Sequence, residues 1–192
     1  MSEPTADLGG TVLARIVEVL RSHRVDECAF TGGVAVGVWA RPRQTHDVDV
    51  CGVLPLDEVD RLLALRDGLR SGAEALPDMV RFRVGDWDVD LFVCKDAYDR
   101  ICLQRAIATR VDGVEVRVVS AEDLLIHKMI KLRSDRRRLL QDLADIRSVV
   151  EAQAATLDWS HVRAWLPKED ADLLESVATL DDEALVRRFV PR

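Results

Sequence analysis

Three aspartates stand where their spacing could do chemistry: Asp47 and Asp49 in Thr45-His46-Asp47-Val48-Asp49, and Asp90 in Val89-Asp90-Leu91-Phe92-Val93. Side chains alternate faces along an extended strand, so Asp47 and Asp49 project from one side with Cα atoms about 7 Å apart. Two carboxylates so close repel unless a cation compensates them, and hard divalent ions such as Mg²⁺ or Mn²⁺ take carboxylate oxygens as ligands. An Asp-x-Asp alone reads better as a solvated strand end, since the pattern is common by chance. Asp90 shifts the balance, because a carboxylate inside an otherwise apolar strand needs a partner. If its strand lies beside that of Asp47 and Asp49, a cross-strand spacing of about 5 Å joins all three. Such a cluster could bridge two metal ions, the arrangement used for in-line phosphoryl and nucleotidyl transfer. Asp86 and Asp88 share the parity of Asp90; Asp90 has the most apolar neighbours and Asp88 the next most.

A triphosphate substrate also needs its phosphates held. Gly32-Gly33, between an apolar strand and a short helix, offers close backbone approach and amides at a helix N-terminus, although a glycine pair is also simply a tight turn. Arg43 and Lys128 are the cations suited to phosphate, one through a planar fork and the other through a compact ammonium. Lys128 also reads as part of a solvated helix face shared with Lys131. His46 points opposite the carboxylates if the strand already extends there, which gives it a packing role. Arg138, Asp142 and Asp145 share a helix face and suggest a salt-bridge network. Lys128, Lys131, Arg133, Arg136, Arg137 and Arg138 could form a local phosphate-binding patch or an ordinary charged surface.

The elements that position these residues follow from hydrophobic period and turn chemistry. Leu13, Ile16, Val17 and Leu20 repeat as a helix, Cys28-Ala29-Phe30 reads as a strand, and Val34 to Ala40 as a short buried helix ended by Pro42. Val48 to Val53 reads as a second strand and Leu56 to Leu69 as an amphipathic helix. Met79 to Val84 and Trp87 to Cys94 make a hairpin about Gly85-Asp86, and Asp112-Gly113 marks another before Val114, Val116 and Val118. From Ser120 and Asp123, spaced like a capping box, the pattern is helical, with a stripe of Leu139, Leu143, Ile146 and Val150. Shorter helices follow over Trp159 to Trp165, Ala171 to Leu180 and Glu183 to Phe189. The expectation is an α+β fold: residues 1–118 form a core with a mixed β-sheet and helices, and residues 119–192 a helical part packed on it.

A chain of 192 residues, nearly half of them hydrophobic, can bury a core without disulfides. Cys28, Cys51, Cys94 and Cys102 are separated in sequence and form no C-x-x-C pair, which favours reduced, buried thiols over a zinc site. The N-terminal residues lack the pattern of a signal peptide and no segment reaches membrane-spanning length, so the expected location is cytoplasmic with no membrane partner. A net charge of −7 excludes a protein that coats nucleic acid over its whole surface.

Phe30-Thr31-Gly32-Gly33-Val34-Ala35 followed by Arg43-Gln44-Thr45-His46-Asp47-Val48-Asp49 resembles, in order and spacing, the polymerase β-like nucleotidyltransferase superfamily, specifically its AbiEii/MenT-type, type IV toxin-like proteins. The resemblance extends to Val89-Asp90-Leu91, to Glu122-Asp123-Leu124-Leu125 with Lys128, and to Asp142-Leu143-Ala144-Asp145-Ile146. It implies a metal-dependent transfer of NMP from an NTP to an acceptor hydroxyl, such as the 3′ end of a tRNA, with a possible antitoxin protein as partner. Residue by residue, it implies Gly32 and Gly33 at the triphosphate, Asp47 and Asp49 on Mg²⁺ or Mn²⁺, and Asp90 on metal and attacking hydroxyl. Val34 stands where the superfamily often has a phosphate-touching Ser, and Gln141 precedes Asp142 where a Lys is usual. Two alternatives stand beside this reading: nucleotidylation of an aminoglycoside or lincosamide antibiotic, and a noncatalytic nucleotide-binding module.

Overall fold

The computed structural model of the chain describes residues 10–45, 47–65, 67–135 and 137–189. His46 and Arg136, singled out above, lie outside the described residues. The described residues fold as two compact units, one within residues 1–38 and 42–120 and one within residues 39–41 and 121–192.

The first unit is built on a seven-stranded sheet. Its strands are β1 (Cys28–Phe30), β2 (Asp47–Gly52), β3 (Leu69–Ser71), β4 (Met79–Val84), β5 (Trp87–Val93), β6 (Ile107–Val111) and β7 (Val114–Val118). They lie in the order β3-β4-β5-β2-β1-β7-β6. The sheet is mixed: β2 runs parallel to β5 and β1 to β7, while the remaining pairs are antiparallel. Alternation sorts the strands' side chains into two different faces. One carries Phe30, Val48, Val50, Val80, Phe82, Val84, Val89, Leu91, Val93 and Val118, all buried. Helix α1 (Gly10–Ser22), whose Leu13, Ile16 and Leu20 are buried, lies against β4 and β7. The other face carries Asp47, Asp49, Asp88, Asp90, Arg81 and Arg83 at its centre, because cross-strand partners share a face.

The two expected hairpins form with turns their sequences suit. Asp112 and Gly113 both have positive φ, the requirement of a type I′ turn. At the other, Gly85 alone has positive φ, and glycine in the first central position fits the II′ pattern, so the Gly-Asp order is well suited to its turn.

Three local readings are corrected. The glycine pair does not precede the short helix but begins it, since α2 spans Gly32–Trp39. The helix expected over Leu56 to Leu69 is a 3₁₀ turn (Leu56–Glu58) and a short α3 (Val59–Leu63), followed by β3. Gly68 sits so close to the carbonyl of Leu63 that a β-carbon there would lie 2.0 Å from it, so the chain has already turned back. Helix α4 (Ala97–Arg105) was not foreseen; a reciprocal cap between Asp96 and Asp99 starts it.

The cysteines, distant in sequence, are free thiols, and three of them meet in this unit. Hydrogen bonding with the thiols of Cys102 and Cys94, and burial, push the Cys51 thiol well above the usual range. Burial raises Cys28 to about 11.

The second unit is helical: α5 (Ala121–Ser134), α6 (Leu139–Gln153), α7 (Trp159–Trp165), α8 (Lys168–Ser176), a 3₁₀ turn (Val177–Thr179) and α9 (Asp182–Phe189). Its apolar core includes Leu124, Leu125, Met129, Leu143, Ile146, Val162 and Leu174. Among the described residues no helix is long and apolar enough to cross a membrane.

Candidate active site

The condition that Asp90 had to meet, a strand beside that of Asp47 and Asp49, is satisfied by the β2–β5 pair. Asp47 is opposite Asp88 and Asp49 opposite Asp90, so four carboxylates line two adjacent parallel strands on one face. Burial separates the two candidates for the third position. Asp90 is 6% exposed and Asp49 8%, whereas the Asp88 side chain is 46% exposed and lies 3.2 Å from Nε of Arg83.

The glycine pair closes onto the same face. The amide of Thr31 donates to the carbonyl of Asp49 at 2.9 Å, which extends the β1–β2 pairing to the start of α2. Gly32 follows with φ +54°, and a β-carbon on it would lie 1.8 Å from Oδ2 of Asp49. Only glycine allows the backbone both this conformation and this approach. A β-carbon on Gly33 would meet Oγ1 of Thr45 at 2.8 Å. Thr45 is buried, and its hydroxyl donates to the carbonyl and to Oδ1 of Asp47, at 2.9 and 3.0 Å. The first turn of α2, Thr45 and the two aspartates of β2 are therefore one interlocked assembly.

Sequence reasoning missed Arg81. It stands opposite Asp90 on the antiparallel neighbour, and its Nε and Nη2 donate to Oδ1 and Oδ2 of Asp90 at 2.5 and 2.6 Å. This is a planar fork-to-fork pair, the strongest form of charge-assisted hydrogen bond a carboxylate makes. Those bonds, and the nearby charges of Asp90, Asp88 and Asp47, raise the guanidinium pKa still further and keep it charged. The signal was present in the hairpin: counting back from Gly85-Asp86 pairs residue 83 with 88 and residue 81 with 90.

Mg²⁺ or Mn²⁺ finds suitable chemistry on this face, namely carboxylate oxygens from adjacent strands beside a glycine that brings backbone close to one of them. The side chains as they stand do not converge, since among the described residues no three His, Cys, Asp or Glu side chains are grouped to hold a metal ion. The geometry of Asp90 contributes to this, because both its oxygens face Arg81.

Arg43 lies in the loop before β2, where its Nη1 donates to the carbonyl of Gln44 at 3.0 Å. Lys128, expected at the phosphates, is buried in α5 of the second unit. Its Nζ donates to Asp142 at 2.9 Å and to Asp145 at 2.7 Å, and Gln141 adds a bond to Asp145 at 3.1 Å. The network foreseen there thus includes Lys128. Nearby in the same unit, Nε2 of His161 is 2.8 Å from buried Asp123, and Glu122 accepts from the amide of Asp158 at 2.9 Å. Of the basic patch, Arg133 is paired with buried Asp170 and Arg137 with Asp135.

Structural neighbours share this architecture. An antigenic nucleotidyltransferase-like protein from Paracoccidioides brasiliensis superposes with a TM-score of 0.51 at 19% identity, covering 87% of this chain and 90% of that one. The solution structure of the antibiotic-resistance factor ANT(2'')-Ia gives 0.54 at 15% identity, covering 86% and 88%. The fold is nucleotidyltransferase-like. Residues 87–170 also match a family described as an uncharacterised nucleotidyltransferase, a stretch that includes Asp88 and Asp90 but leaves out the β2 aspartates. No curated protein matches the sequence. The family match supports a nucleotidyltransferase, and the neighbours show the fold; the AbiEii/MenT subtype has no such support.

Proposed function

We propose that the chain transfers a nucleoside monophosphate from an NTP to an acceptor hydroxyl, with Asp47, Asp49 and Asp90 as ligands of Mg²⁺ or Mn²⁺. The observation that carries the reading is the parallel register of β2 and β5, which sets Asp49 beside Asp90 under a glycine-led helix. Bound there, the cation would offset phosphate charge and polarise the phosphoryl oxygens. Gly32 and Gly33 would present backbone amides to the triphosphate at the first turn of α2, and Arg43 would reach the phosphates from its loop. Thr45 would hold the Asp47 carboxylate in place. The acceptor oxygen would bond to the α-phosphorus as its bond to the β,γ-diphosphate breaks, releasing pyrophosphate, with the acceptor proton passing to an oxygen of Asp90.

The acceptor is proposed at a finer level. The AbiEii/MenT-like motifs favour an RNA hydroxyl such as a tRNA 3′ end, with an antitoxin as protein partner. The engagement of Arg133 by buried Asp170 favours the second reading, a cationic small molecule of the aminoglycoside kind, because it removes a charge from the expected RNA patch. One experiment covers both: purified protein, each labelled NTP, Mg²⁺, and total RNA, aminoglycosides or lincosamides as acceptor. Label should enter one acceptor pool and be lost in Asp47→Asn and Asp49→Asn. Label in no pool with any NTP, from folded protein that binds nucleotide, would replace the enzyme reading with that of a binding module.

A further inference from the structure

The Arg81–Asp90 pair has an energetic implication for that site. Asp90 is almost wholly buried, and a buried carboxylate needs a counter-charge whether or not a metal ion is present. Arg81 supplies it through both oxygens, so no oxygen of Asp90 is turned away from the guanidinium. A divalent cation that takes Asp90 as ligand must therefore compete with a fork already seated there. Arg81 itself is 40% exposed at its side chain, so the guanidinium has open space into which it can withdraw. Its planar donors suit a phosphate as well as a carboxylate.

We propose that Arg81 is a positioning residue that holds Asp90 in the cation-free protein and must be displaced for a divalent cation to bind, which limits cation affinity. This rests on the reading of Asp47, Asp49 and Asp90 as metal ligands. Arg81→Met removes the competitor and leaves Asp90 buried without its counter-charge, so the variant should be less stable alone and gain more from added cation. The test is Mn²⁺ binding, followed by electron paramagnetic resonance of the free ion, on the full chain without nucleotide, together with thermal melting with and without Mn²⁺.

Losing a competing charge-assisted bond should tighten Mn²⁺ binding about tenfold or more in Arg81→Met. The melting temperature of that variant should rise with Mn²⁺ by more than that of the unaltered protein. Arg81→Lys keeps the charge but not the fork, and should fall between the two; it carries the test if Arg81→Met does not fold. Adding Asp90→Asn to Arg81→Met should remove the gain. Mn²⁺ affinity that is equal or weaker in both Arg81 variants, but still lost in Asp49→Asn, would overturn the competition and leave the metal site standing. No Mn²⁺ binding by any folded form would overturn both.

Discussion

A β-carbon on Gly32 would stand 1.8 Å from Oδ2 of Asp49, so the start of α2 and the middle of β2 fit together only because residue 32 has no side chain. The positive φ adds a second constraint, since an L-residue in that conformation costs about 1–2 kcal/mol. Gly32→Ala should therefore lower stability and move the Asp49 carboxylate, with loss of nucleotidyl transfer. Gly33→Ala meets Thr45 at 2.8 Å without the φ penalty and should be the milder change. Thermal melting of the two variants checks the order; equal melting temperatures would mean the chain yields easily at Gly32.

Much of this arrangement was legible in the sequence, but not the way its strands meet. Asp47 and Asp49 share a face by alternation alone. The two-residue turn at Gly85-Asp86 fixes which β4 residue meets which β5 residue, so Arg81 against Asp90 could have been counted out. No turn connects β2 to β5, and nothing local sets a parallel register; the pairing of Asp49 with Asp90 is a tertiary fact. The same holds for the thiols of Cys51, Cys94 and Cys102, which separate segments bring together from distant positions. Helix α4 escaped because its cap uses two aspartates rather than a Ser or Thr with a Glu, and its nine residues give little length over which helical spacing can be read. Strand β3 is exposed along its whole length and so shows no alternation to read.

Lys128 bridges Asp142 and Asp145 with a single ammonium, and all three side chains are buried. Breaking a buried pair by removing one partner costs about 3–5 kcal/mol, since the remaining charges stay desolvated. Lys128→Met should show a loss of that order in urea unfolding. Adding Asp142→Asn should recover part of it. A Lys128→Met protein as stable as the original would show that the carboxylates find other partners without strain.

The thiols of Cys28 and Cys51 should be inert under ordinary conditions. With Cys28 raised by burial to about 11, roughly one thousandth of it is thiolate at pH 8, and Cys51 is held further toward the thiol by its neighbours. Alkylation by iodoacetamide at pH 8 should be slow at Cys28 and Cys51 in the folded protein and rapid after denaturation, as read site by site by mass spectrometry. The sign of the linked stability follows. Cys28 ordinarily titrates near 9.0, so between there and about 11 the folded state binds more protons than the unfolded one. Its stabilising contribution is complete below that window and is lost as pH rises through it.

The acceptor can be read from how binding depends on salt, with Arg133 set aside because it is already engaged by a buried carboxylate. Arg133 donates to Asp170, which is 5% exposed, so Arg133→Glu should act first on folding, at about 1–3 kcal/mol. It therefore tests the wrong property. Among the described residues of the patch, Arg137 and Arg138 are exposed and Lys131 is half-buried, and these three are the ones to test against phosphates. If RNA is the acceptor, three phosphates neutralised on a single strand give a slope of about −2 in log affinity against log salt, and reversing Arg137 and Arg138 to Glu should flatten it. NTP binding should stay unchanged. If the acceptor is a cationic small molecule, transfer should instead be indifferent to those reversals, and the acceptor itself should bind more weakly as salt rises. RNA labelling that responds neither to salt nor to the reversals would place the RNA-binding surface elsewhere on the chain.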